Sequence, residues 1–230
     1  MTEHFDFERY WLDKFGNCIE AVSGANIRQE IMEGSQILAD DTPRSKVISW
    51  TQDAMQRMES LLDEEQQKQV MTGCACQYPK ENLREMRRVY AETGDLRLVH
   101  QMLLDQFKSF LKHKLELPEE IITDILGRGW GAAGILEENR IIATKIPKSG
   151  YLREYMAESD PQKKRALYCH CPRVRDALKN GQTLSTTYCY CGAGFYKGMW
   201  EEILQQPLEV ELLQSVLKGD EVCQVAVLLP

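Results

Sequence analysis

A chain of 230 residues with 43% apolar and 27% charged side chains has the composition of a globular protein long enough to bury a core. Its formal net charge of −7 argues against a general nucleic-acid binder, and no run approaches the ~20 apolar residues that would cross a bilayer. Met1 to Asp6 has neither the basic nor the apolar region of an export signal, so the expected setting is a reducing cytoplasm with free or metal-bound thiols.

Residues 5 to about 115 read as helical. Tyr10, Trp11, Phe15, Cys18, Ile19 and Val22 recur at three- and four-residue steps, an amphipathic stripe on which Cys18 is expected as a small buried hydrophobe. Ile27, Ile31, Ile37 and Leu38 suggest a second helix. Thr42-Pro43 then supplies a cap and a first-turn proline for a third, which carries Val47, Ile48, Met55, Met58 and Leu62. Asp63-Glu64-Glu65 heads a short helix that ends at Gly73, as dipole and C-cap preferences require. Cys74-Ala75-Cys76 follows directly, either as a ligand pair folding back on the later cysteines or as a packed turn with inert thiols. Two further helices span Lys80 to Ala91 and Leu96 to Leu115, and Pro118 caps another that stops at Gly127 to Gly131.

The pattern then changes. Gly134 to Glu137 and Arg140 to Ile146 read as a β-hairpin, and 147–167 as loop with a short helix. Tyr168 to Val174 is expected as a strand that Pro172 confines to an edge. Cys191 opens a helix with a buried stripe of Phe195, Met199, Trp200, Ile203 and Leu204, and Leu208 to Val216 with Val222 to Leu229 forms a second hairpin. From Arg140 to Arg175 there are nine Lys/Arg against three Asp/Glu, a local +6 that leaves −13 for the remainder. That segment reads as a solvated face or as a wall for an anionic small molecule.

Six of the eight cysteines fall in three Cys-x-Cys units: Cys74/Cys76, Cys169/Cys171 and Cys189/Cys191. In an extended segment residues i and i+2 face the same way, about 6.5–7 Å apart, so two such strands side by side would converge four sulfurs. Thiolate sulfur suits zinc or an iron–sulfur cluster. The expected metal ligands are therefore Cys169, Cys171, Cys189, Cys191, Cys74, Cys76 and Cys223, with zinc ahead of an iron–sulfur cluster. Cys191, at a helix N-terminus, is expected to favour its thiolate.

The run Cys189-Tyr190-Cys191-Gly192-Ala193-Gly194-Phe195-Tyr196-Lys197-Gly198, then Pro207-Leu208-Glu209-Val210-Glu211 and Lys218-Gly219-Asp220-Glu221-Val222-Cys223, resembles the end of the 4-vinyl reductase domain superfamily. Bacterial proteins of the L-2-amino-thiazoline-4-carboxylic acid hydrolase-like group share that pattern. The likeness is clear over residues 188–228. It implies an α+β small-molecule-binding fold and, in several relatives, a structural zinc held by cysteines and an acid. Cys189 and Cys223 match two of those ligands, while Ser215 stands where the pattern has a third cysteine and Leu212 where it has the acid. Cys169, Cys171 and Cys191 are candidates to rebuild the set.

The expected architecture is α+β, with a helical region at 1–117 packed on a C-terminal antiparallel sheet with helices at 118–230, the latter resembling the 4-vinyl reductase domain. The expected function is a metal-containing sensor or carrier whose Arg173, Arg175, Lys145 and His170 meet an anionic ligand; a second copy of the chain in a homodimer is one option for a partner. A hydrolase of a small cyclic amide or thiazoline is the first alternative, through zinc-activated water or through Cys191 with His170 as base. An iron–sulfur or thiol redox protein is the second. In a strand His170 would face away from its flanking cysteines, which counts against it as their base.

Overall fold

The computed structural model describes residues 6–230. Residues 1–5, read above for the missing export signal, lie outside them. Among the described residues the chain forms eleven α-helices and one four-stranded antiparallel sheet, so the fold is α+β as expected. The helices before the sheet are α1 (Phe7–Ser23), α2 (Ala25–Ile31), α3 (Arg44–Leu61), α4 (Glu64–Gly73), α5 (Arg84–Thr93), α6 (Leu96–His113) and α7 (Glu119–Gly127). After them come strands β1 (Ile135–Leu136) and β2 (Arg140–Thr144), helices α8 (Leu152–Ala157), α9 (Pro161–Tyr168), α10 (Pro172–Lys179) and α11 (Tyr190–Leu204), then β3 (Glu209–Gln214) and β4 (Gln224–Leu228).

Local chemistry explains where these helices begin. Asp6, Asp95 and Asp160 each accept a first-turn N–H, and Asp63 forms a reciprocal capping box with Gln66. Thr42 does not cap α3: its hydroxyl accepts from the Ala39 N–H at 2.9 Å, and Pro43 takes the cap position. The segment expected as a strand over Tyr168 to Val174 is instead the end of one helix and the start of the next. Tyr168 closes α9, and Pro172 occupies the first position of α10, where its missing N–H costs nothing.

The sheet order is β1-β2-β4-β3, with Thr144 opposite Gln224 and Ile142 opposite Ala226. The two central strands are covered on both faces, so Ile141, Ile142, Ala143, Val225, Ala226 and Val227 are all buried. Two apolar clusters form the core, and each draws on residues from both sides of position 117. One gathers Trp11, Phe15, Val47, Met55, Val70, Tyr188 and Val216. The other gathers Leu83, Val99, Ile141, Trp200, Ile203 and Val227.

Helix α11 links the two, because its first turn carries Cys191 against the first cluster and its later turns place Trp200 in the second. It crosses the end of α4 very closely. A Cβ on Gly194 would lie 2.2 Å from the Thr72 carbonyl oxygen and 2.8 Å from the Ala75 Cβ. Only glycine allows that approach, and it brings the first turn of α11 onto the loop that carries Cys74 and Cys76.

Candidate functional site

The site lies where β2 and β4 end. Just beyond the ladder, the Lys145 N–H donates to the Cys223 carbonyl at 2.9 Å. The Tyr168 hydroxyl clamps both residues: it accepts from the Cys223 N–H at 2.9 Å and donates to the Lys145 carbonyl. Tyr168 reaches this point as the last residue of α9, whose start is fixed by the Asp160 cap and by Pro161. The chain then runs extended through Cys169 and Cys171, the conformation that a residue before proline favours.

Two thiol pairs flank this junction. The Cys189 thiol donates to Cys223, and the Ser215 hydroxyl, wholly buried, donates to the Cys189 sulfur at 2.9 Å. The hydrogen bond from Cys189, with Lys145 assisting against burial, lowers Cys223 to about 7, while Cys189 itself is pushed well up. The second pair joins elements far apart in sequence. Cys74, the C-cap residue of α4, donates its thiol to the Met71 carbonyl at 3.4 Å and sets its sulfur against Cys191 in the first turn of α11. The Cys74 contact, acting against burial with help from Lys145, the Cys76 N–H and Lys14, brings Cys191 to about 7. Lys14 is anchored there by donating to the Ala75 carbonyl.

Lys145 is the charge that both pairs share. Burial alone would lower its ammonium, but Cys169, Cys223, Tyr196 and Cys191 outweigh that, so it is held charged above its ordinary value. The thiols and Tyr196 are the groups that raise it. Burial raises the remaining thiols. Burial pushes Cys169 to about 12, and burial likewise raises Cys171, whose sulfur lies 3.4 Å from the Tyr188 hydroxyl. Cys76 is exposed, and partial burial with the nearby Cys191 raises it modestly. Cys18 packs against the Gly73 backbone, as its place on the apolar stripe implied.

The expected metal centre is overturned. Among the described residues no group of three or more His, Cys, Asp or Glu side chains could hold a metal ion, so Cys169, Cys171, Cys189, Cys191, Cys74, Cys76 and Cys223 do not form the cysteine cluster expected for zinc. All eight cysteines are free thiols. The physical reason is conformational. The expectation needed extended Cys-x-Cys units, but Cys74 ends a helix, and Cys189 and Cys191 run from a 3-10 turn into α11. Two residues along a helix turn through about 200°, so Cys189 and Cys191 face different partners instead of one ion.

The other expected ligand-binding residues are placed as follows. Arg173 is 1% exposed; its guanidinium pairs with Glu8 and lies 3.9 Å over the Trp11 ring. Glu8 also meets Arg44 at 3.4 Å, and Arg44 meets Asp176 at 2.8 Å, so these charges fasten α1, α3 and α10 together. Arg175 turns back on the preceding loop, donating to the carbonyls of Cys169 at 3.3 Å and His170 at 3.4 Å. Neither guanidinium is free for a ligand. His170 lies at the exposed edge with Nε2 2.9 Å from the Ile146 carbonyl; burial of its inner side and the Lys145 charge lower it to about 4, so it is neutral at pH 7. Lys145 alone among the four faces the thiols.

Sequence reasoning did not find the roles of Tyr168, Ser215 or Lys14. Nothing in the composition around Ser215 marks it as the partner of Cys189, 26 residues away. Nor does anything mark Lys14, because the contact with Ala75 spans 61 residues.

A model for a family of unknown function (DUF6144) matches residues 156–230, a segment that carries Cys169, Cys171, Cys189, Cys191 and Cys223 but neither Lys145 nor Cys74 and Cys76. No curated protein matches the chain, and no solved structure does.

Proposed function

We propose that this chain is a thiol–disulfide redox protein whose reacting pairs are Cys74 with Cys191 and Cys189 with Cys223. The observation that carries this reading is placement: the close crossing at Gly194 sets Cys74, at the end of α4, against Cys191 in the first turn of α11, Cys189 lies against Cys223, and in each pair one thiol is drawn down to about 7 with the Lys145 ammonium assisting. A thiolate is the species that attacks sulfur, and a value near the ambient pH balances its abundance against its nucleophilicity. Cys191 or Cys223 attacks one sulfur of an acceptor disulfide and displaces a thiolate. The hydrogen-bonded partner then gives up its proton, attacks the protein sulfur and displaces the second thiolate. Two protein thiols become one disulfide, and two electrons and two protons leave on two small thiols. Sulfurs already in hydrogen-bond contact need only a small shift to reach the ~2.05 Å of a disulfide.

The test is limited oxidation of the reduced protein by hydrogen peroxide, in which each disulfide formed consumes one peroxide and releases two waters. Digestion without reductant and mass spectrometry then map the links. Peptides joined as Cys74–Cys191 and Cys189–Cys223 are the expected result. Persistence of all four as free thiols, with oxidation confined to Cys76, defeats the reading.

A further inference from the structure

A cleft of about 460 Å³ opens on the surface where α4 ends and α11 passes over it, and Cys76 lines it. Cys76 is the exposed member of the cysteine set. It is not isolated, because its backbone N–H donates to the Cys191 sulfur, which puts the cleft wall in direct contact with the Cys74–Cys191 pair. Tyr78 and Phe195, whose rings lie 5.9 Å apart, also line it. So do two acid–base couples, Lys80 with Glu202 at 2.9 Å and Lys197 with Glu201 at 3.6 Å, and Glu202 also meets Arg87 at 2.5 Å. The cleft therefore presents charge of both signs together with two aromatic rings and a thiol.

Resting on the redox reading above, we propose that this cleft admits a small disulfide carrying both an ammonium and a carboxylate group, and that Cys76 is the thiol that exchanges with it. Lys80 and Lys197 meet the carboxylate, Glu201 and Glu202 the ammonium, and the aromatic pair covers the methylene and sulfur atoms. Cys76, as thiolate, attacks one substrate sulfur; the substrate S–S bond breaks, one small thiolate leaves, and a mixed disulfide remains on Cys76. Cys191 then attacks the Cys76 sulfur and expels the second small thiolate. Cys74 attacks Cys191 in turn and frees Cys76. The net change is one small disulfide reduced to two thiols and one Cys74–Cys191 disulfide formed, which balances in electrons and protons. The route explains why an exposed thiol lies against a pair that is itself largely screened from solvent.

The experiment uses the full chain, reduced and then freed of reductant, with cystine as probe. In wild type, cystine should yield the Cys74–Cys191 link. In Cys191→Ser, which removes the resolving thiolate, a mixed disulfide with one cysteine should accumulate on Cys76. In Cys76→Ser, linkage by cystine should slow by about tenfold or more while linkage by hydrogen peroxide keeps its wild-type rate. Cystine should also outpace the neutral 2-hydroxyethyl disulfide at equal concentration. If Cys76→Ser reacts with cystine as fast as wild type, or if the neutral disulfide matches cystine, the cleft assignment falls and the dithiol reading stands. If peroxide links neither pair, the dithiol reading falls, and the cleft assignment with it.

Discussion

Gly194→Ala tests whether the close crossing of α11 over α4 sets the state of Cys191. The added Cβ would sit 2.2 Å from the Thr72 oxygen, 2.6 Å from the Thr72 Cα and 2.8 Å from the Ala75 Cβ, whereas ordinary contact begins near 3.4 Å. Two of those atoms are backbone, so no rotamer change relieves the clash. The end of α4 must move off by about 1 Å, a form of overpacking that costs about 1–3 kcal/mol. Helix propensity works the other way, favouring alanine by about 1 kcal/mol. Gly198→Ala separates the two effects, because it lies one turn further along the same helix with nothing within 4 Å of its Cβ position. Propensity cancels between the variants, leaving a difference centred on about 2 kcal/mol, or about 4–8 °C in Tm for a chain of this length. Retreat of α4 also carries Cys74 away from Cys191, so Cys191 in Gly194→Ala should titrate above 7. Calorimetry in reductant gives the first quantity, and peptide-resolved alkylation against pH gives the second. Equal Tm values for the two variants, with Cys191 unmoved, would refute the claim that this approach is tight.

Stability should follow pH through the same thiols. Cys191 and Cys223 titrate at about 7 in the fold and near about 8.5 when unfolded. Between those values the unfolded chain holds more protons, so stability rises with pH. Cys74 and Cys189, with Cys169, Cys171, Cys18 and Cys76, keep protons that the unfolded chain sheds as pH rises, so stability then falls. In reductant, Tm should climb from pH 7 to about 8 and then decline, and Cys191→Ser/Cys223→Ser should lose the rising limb. Lys145→Met should raise Cys191 and Cys223 together, by about one unit or more each, whereas Lys145→Arg should not; alkylation profiles in which only one of them moves would show that the ammonium is not shared. Glu8→Gln leaves the Arg173 guanidinium buried without its carboxylate and should cost about 3–5 kcal/mol in urea unfolding. Tyr168→Phe strips the Cys223 N–H of its acceptor and should cost about 1–3 kcal/mol.

What could be read from the chain alone was whatever local chemistry decides. The acidic start of α4 at Asp63, its end at Gly73 and the two hairpins follow from residues within a few positions of one another. The stripe in α11 and the apolar place of Cys18 follow from periodicity. Two of the three Cys-x-Cys units were misread because their spacing fits an extended segment, whereas Cys74 closes α4 and the helix that starts at Tyr190 takes in Cys191. The pairing of Arg173 was hidden for a related reason: it finds Glu8 165 residues earlier, and local composition carries no sign of that partner.

The position of Lys145 gives the cysteines a common logic without a metal. A cation among thiols favours whichever of them can become thiolate most cheaply, and an ammonium does this by proximity, with no demand for a fixed number of ligands. Hydrogen bonds then decide which sulfurs respond. Cys191 and Cys223, each set against a neighbouring thiol, sit at about 7, whereas burial outweighs the same charge at Cys169 and pushes it to about 12. One positive charge therefore acts on two separate pairs of thiols. Cysteines drawn toward one junction need not be ligands to one ion, because helix termini such as those at Cys74 and Cys191 turn neighbouring sulfurs toward different partners.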